Sequence, residues 1–216
     1  MTSGFKSKHV LFSTGLPPPS LFATGIGIAD VSYSSLPLFL PTIVTEMGFS
    51  SIRAQGLTVP PYLASFIVVV AVSFSSDRVG DRSAFIIPCA LVGAVGYIIL
   101  ATTTAVAARY FAIYLCCCGI FPVIGLLLPW VANTHQDESK RGAGFLLLNL
   151  VGQCGPLLGT RLYPAKDRPF YRMGEWVCAA FMLFVAVLSL GLRLYLRREN
   201  RRLDRVDGAG GFRYVL

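Results

Sequence analysis

Long apolar runs broken by short charged clusters organise this chain. No Asp, Glu, Lys or Arg falls in the 23 residues between Arg53 and Asp77, the 26 between Arg82 and Arg109, or the 27 between Arg109 and Asp137. A hydrocarbon core about 30 Å thick needs roughly 20 helical residues at about 1.5 Å each, so each run is long enough to cross a bilayer. Gly142 to Thr160 (19 residues) and Trp176 to Leu192 (17 residues) qualify together with their flanks. A sixth segment, Leu21 to Thr45, is apolar apart from Asp30. Pro37 and Pro41 bend it, which membrane helices tolerate where neighbours re-satisfy the freed carbonyls. The pattern therefore predicts an all-α integral membrane protein with six transmembrane helices, over about 22–46, 57–76, 84–104, 109–132, 142–162 and 174–195. Residues 1–20 read as an irregular N-terminal segment, 21–195 as the bundle and 196–216 as a basic cytoplasmic tail.

Composition agrees with that reading. Of 216 residues, 54% are apolar and 14% charged, against about 25% charged in a soluble domain. With 12% aromatics and a mean hydropathy of +0.63, disorder, collagen-like repeats and disulfide-dense mini-proteins are excluded. If both termini share a side, that side holds 13 of the 19 Lys and Arg residues, and the positive-inside rule makes it cytoplasmic. The net charge of +8 is thereby explained by topology. The basic stretch Arg193 to Arg205 suits anionic lipid at the membrane surface, and nucleic-acid binding is not expected. Pro17, Pro18 and Pro19 interrupt the apolar stretch after Lys6 and Lys8, so a cleaved signal is not expected either.

Enzyme chemistry finds no footing. The six cysteines, Cys89, Cys116, Cys117, Cys118, Cys154 and Cys178, all fall inside predicted spans and form no CxxC pair. They read as small apolar residues at helix contacts rather than as a zinc site or a disulfide framework. There are two histidines, His9 and His135, and no Walker loop or GxGxxG. Neither a nucleophile with a buried base nor a metal cluster can be assembled, so no catalytic residue, metal or cofactor is expected.

The spans instead carry glycine, proline and isolated polar groups. Asn149 and Gln153 are four apart and share one face of the fifth helix; they either line a cavity or hydrogen-bond a neighbouring helix. Gly152, Gly155 and Gly159 permit close helix approach, and Pro156 invites a mid-membrane bend of the kind that lets a helix flex or line a cavity. Asp30 is the only acid well inside a predicted span. A carboxylate there costs about 2.5 to 3.5 kcal/mol on insertion scales. It is a candidate for carrying a coupled proton, unless it merely reaches the interface. Tyr33 lies on nearly the same face and is a candidate substrate contact.

Between the second and third spans runs Ser76-Asp77-Arg78-Val79-Gly80-Asp81-Arg82. As a bare pattern it is a charged turn with a glycine free to take positive φ. It resembles the loop motif of the major facilitator superfamily, in the weaker form found in the second half of those transporters. Further strings are similar, in order, to the C-terminal half of the fungal allantoate and nicotinate permease family, the anion:cation symporters. They are SLPLFLPTIV from Ser35, LTVPPY from Leu57, RYF from Arg109, GQCGPLLGTRLYP from Gly152, AKDRPFYR from Ala165 and LYLRRENRRLD from Leu194. The likeness runs from about residue 30 to the end, although Asp30 stands where a neutral residue would be expected.

That resemblance implies one half of a twelve-helix carrier, helices seven to twelve of a transporter for proton-coupled uptake of a small organic anion or vitamin. The first, second, fourth and fifth spans would face the central cavity, with Tyr33, Asn149 and Gln153 as cavity residues. The third and sixth would face lipid. Asp77, Arg78, Gly80 and Arg82 would form a cytoplasmic gating motif whose charges meet helix ends of the other half in one access state only. Expected partners are the bilayer, the organic anion with its proton, and a missing N-terminal half or a second copy. The alternatives are a half-transporter acting as a homodimer, or a non-transporting scaffold or regulator pairing with a full-length relative. A plasma-membrane location with cytoplasmic termini is expected.

Overall fold

A computed structural model describes residues 19–134 and 171–206. Among the described residues the fold is all helical, with α1 (Pro19–Glu46), α2 (Ser51–Val79), α3 (Ser83–Thr102), α4 (Val106–Thr134) and α5 (Arg172–Val206). Four helical stretches among these residues are long and apolar enough to cross a membrane: Ser51–Val79, Ser83–Thr102, Val106–Trp130 and Arg172–Arg198. The expected helix at 142–162 lies outside the described residues.

α2, α4 and α5 run past the spans expected for them at both ends, whereas α3 stops at Thr102, two residues short of the expected end; single polar groups that a hydrophobic count ignores hold some of these ends. Gly80 closes α2 in the left-handed region, with φ 69°, and its N–H bonds the Ser76 carbonyl at 2.9 Å. Asp81 Oδ1 accepts from the Ala84 N–H at 3.0 Å and from Ser83 Oγ at 2.9 Å, satisfying orphan donors at the start of α3. The largest difference is at α5. The segment expected as a tail from residue 196 continues as helix to Val206, because its Arg, Leu and Glu residues are good helix formers and the first Gly comes only at Gly208.

Prolines sit inside four of the five helices without ending them: Pro37 and Pro41, Pro60 and Pro61, Pro88, and Pro122 and Pro129. Pro61 has no N–H to give the Leu57 carbonyl four residues back. Tyr110 of α4 supplies the missing donor, its hydroxyl reaching Leu57 O at 3.0 Å. A neighbouring helix thus re-satisfies the carbonyl that the proline frees.

α3 packs most extensively, against α4 on one side and α5 on the other, while α1 leans on α4 and α5 and α2 on α4. The α3–α4 contact is made by glycine. A Cβ on Gly119 would collide with the backbone N of Gly93 and lie 2.5 Å from its Cα. A Cβ on Gly96 would lie 2.7 Å from Cys116 Sγ and 2.8 Å from its backbone N. Between helices in lipid there is no hydrophobic drive, so such backbone approach supplies the attraction. Leu36, Leu40, Ile86, Tyr97, Leu100, Ile113, Cys116, Met182 and Trp130 complete a fully buried core. Of the four membrane-length stretches α2 is the least enclosed, and it exposes Val59, Leu63, Phe66, Ile67, Val70 and Phe74.

Candidate functional site

The α1–α2–α4 face gathers three aromatic side chains. Tyr33 of α1 meets Phe121 of α4 edge to face, with centroids 5.5 Å apart at 84°, and Phe121 meets Tyr62 of α2 at 5.8 Å and 70°. Each helix contributes one ring, and edge-to-face pairs favour this mutual fixing of orientation. Tyr33 is 36% exposed and Tyr62 and Phe121 are half-buried, so the group forms a wall rather than a core. Apolar rings carrying two phenol hydroxyls suit a ligand with a flat body and a polar end.

Of the sequence-derived site residues, Tyr33 joins this wall. Asp30 lies in the helical backbone of α1, but its side chain is outside the described residues. Asn149, Gln153, Gly152, Gly155, Pro156 and Gly159 lie outside them too. Tyr62 and Phe121 are not among the residues the sequence pattern marks as site candidates. Tyr62 stands in the LTVPPY string beside two prolines, and Phe121 sits in an apolar run with nothing to distinguish it.

The charged turn is organised within the described bundle. Arg82 Nη2 donates to Asp77 Oδ1 at 2.9 Å. Asp81 Oδ2 accepts from Arg193 Nη2 of α5 at 2.6 Å, and both partners are largely buried. Arg78 lies over the Phe74 ring, 4.4 Å from its centroid, a cation–π contact. Asp81, which the gating reading did not single out, is therefore the residue that ties the turn to α5 while capping α3. Its two carboxylate oxygens divide these tasks.

At the opposite end lies Arg109, the residue that divides two of the charge-free runs. It is 2% exposed and faces Glu175 of α5, itself fully buried, and Glu46 at the end of α1. Because α4 begins at Val106, Arg109 falls in its first turn and turns inward between α1 and α5 rather than out to solvent. A layer deeper, the Tyr97 hydroxyl donates to Ser32 O at 3.1 Å, Ser35 Oγ donates to the same carbonyl at 3.1 Å, and Ser35 Oγ lies 3.5 Å from Cys178 Sγ. Cys89, Cys116, Cys117, Cys118 and Cys178 are free thiols, and no group of three or more metal-ligating side chains occurs among the described residues.

This helical arrangement matches a solved transporter. The human organic anion transporter MFSD10 superposes with a TM-score of 0.57 over 82% of this chain and 48% of that one, at 16% identity. The chain has a major facilitator fold. Sequence comparison agrees: the MFS transporter prlL of a fungal species is 34% identical over 190 residues, covering 84% of this chain and 38% of prlL. The high-affinity nicotinic acid transporter of Saccharomyces cerevisiae is 30% identical over 185 residues, covering 84% of this chain and 35% of that protein. No family model matches. The chain thus spans little more than a third of the length of these curated relatives, both of which are named as transporters.

Proposed function

We propose that this major facilitator chain serves proton-coupled uptake of a small organic anion, forming the C-terminal six-helix half of the carrier. The observation that carries the reading is the aromatic wall of Tyr33, Tyr62 and Phe121, contributed by the helices that face the cavity in this interpretation. Ring edges and faces hold a flat solute body, and the tyrosine hydroxyls offer neutral donors to a carboxylate. The yeast relative named for nicotinic acid supports a substrate of that kind. So does the structural neighbour named as an organic anion transporter.

A parallel-repeat carrier holds its substrate between two bundles. The exposed apolar length of α2 supports a second bundle beside this one, and Asn149 and Gln153 would extend the wall from the fifth span. Asp30 remains the coupling candidate. The Asp77, Arg78, Gly80 and Arg82 turn would bias the access equilibrium only if its contacts differ between states. In this reading both termini lie on the cytoplasmic side of the plasma membrane, as the distribution of Lys and Arg suggests.

The test is uptake into proteoliposomes holding the full-length carrier that contains this chain, with the interior alkaline. Labelled nicotinate should accumulate saturably, collapse with a protonophore and be competed by other small organic acids but not by amines. Accumulation indifferent to the protonophore would remove the proton coupling, and failure of every organic acid would remove the substrate class. The 216-residue chain alone is expected to accumulate nothing. Uptake by a stable dimer of the chain would transfer the function to a homodimer.

A further inference from the structure

α5 keeps one face buried along its length, through Cys178, Met182, Val185, Ser189, Leu192 and Leu196. The opposite face exposes Trp176, Leu183, Val187, Leu190 and Leu194, an apolar stripe suited to acyl chains. At 3.6 residues per turn, Arg201 prolongs that stripe and Arg197 and Arg198 flank it on either side, the three falling within an arc of roughly 100°. All three are exposed.

Their depth follows from two aromatic residues. Trp176 and Tyr195, both exposed, stand nineteen residues apart, which along a helix is roughly 29 Å. A hydrocarbon core of about 30 Å fits between them, with an aromatic ring at each interface. Arg197 and Arg198 then begin within one turn of the boundary, and Arg201 follows a turn later, at headgroup depth. Arg193 does not belong to this set, because it turns into the bundle and binds Asp81. Between residues 193 and 206 the only acids are Glu199 and Asp204, against six arginines.

We propose that Arg197, Arg198 and Arg201 form a binding site for the headgroup of an anionic phospholipid in the leaflet reached by the C-terminal end of α5. Guanidinium groups present forked donors to phosphate oxygens. The acyl chains of the same lipid lie along the apolar stripe that leads to the arginines, so one molecule engages both parts of the face. Cytoplasmic anionic leaflets attract such juxtamembrane cations. The inference rests on α5 crossing the membrane, and on nothing about substrate or coupling.

The test uses the whole chain in nanodiscs of phosphatidylcholine with a minority of phosphatidylserine, followed by gentle extraction and mass-spectrometric counting of retained lipid. Phosphatidylserine should be enriched over its bulk share, with the enrichment falling at each arginine neutralised and lost to the bulk ratio in R197Q/R198Q/R201Q. Arg193→Gln should keep the enrichment. High salt should weaken it in the unaltered chain, a reading that needs no variant to fold. Equal enrichment in the triple variant, or loss on Arg193→Gln alone, would overturn the proposal. Failure of the unaltered chain to insert across the nanodisc would instead overturn the membrane reading of α5.

Discussion

Substituting Gly119 by Ala isolates the contact that holds α3 against α4. The added Cβ would collide with the Gly93 backbone N, lie 2.5 Å from Gly93 Cα and 2.8 Å from the Cys89 carbonyl oxygen. All three are backbone atoms, so no side-chain rotation relieves the clash. An ordinary carbon contact of about 3.5 Å requires the helices to part by roughly 1 Å at that point. Overpacking of this kind costs about 1–3 kcal/mol, and separation also weakens the neighbouring Gly96–Cys116 approach. Gly191→Ala provides the opposite sign, since nothing lies within 4 Å of its added Cβ and Ala is better than Gly in a helix by roughly 0.5–1 kcal/mol. Equilibrium unfolding in mixed detergent micelles, followed by the fluorescence of buried Trp130, should separate the two variants by about 2 kcal/mol or more. Equal stability would refute the idea that backbone approach at Gly93 and Gly119 holds the bundle.

Asp81→Asn should destabilise by about 2 kcal/mol, less than the 3–5 of a fully buried pair, because Asp81 and Arg193 keep 16% and 20% side-chain exposure; a double-mutant cycle with Arg193→Gln checks that the loss is shared. Tyr97→Phe should cost about 1 kcal/mol in the same unfolding assay, since the Ser32 carbonyl retains its bond from Ser35. Asp77→Asn removes an exposed ion pair worth about 0–1 kcal/mol and should barely alter stability, while shifting two-sided accessibility labelling of the full-length carrier between its access states. Unchanged labelling would remove Asp77 from the gating motif.

The membrane helices were legible because charge is forbidden over a bilayer's thickness, and that prohibition writes itself into spacing. The spacing from Arg82 to Arg109 marks α3 to within a few residues for that reason. The ends were less legible, since they depend on single polar contacts such as Asp81 with the Ala84 N–H. Arg109 shows the same limit: a cation at the edge of an apolar run reads as interfacial unless the acids facing it from other helices, Glu175 and Glu46, are known. Tyr33 is legible because it shares a helix face with Asp30. Phe121 was invisible because its role comes from lying between two tyrosines that are distant in sequence, a relation no periodicity encodes. The Tyr110 bond to the Leu57 carbonyl was equally hidden, although Pro61 announces that some donor must be found.

The account turns on whether Tyr33, Tyr62 and Phe121 line a water-accessible substrate cavity. Single cysteines at these positions, in the full-length carrier with its other cysteines replaced, should react with a membrane-impermeant maleimide, and nicotinate should slow that reaction. Val95→Cys and Val187→Cys, on exposed faces of α3 and α5 assigned to lipid, should remain unlabelled. Labelling at Val95→Cys and Val187→Cys, with Tyr33→Cys, Tyr62→Cys and Phe121→Cys silent, would contradict the account.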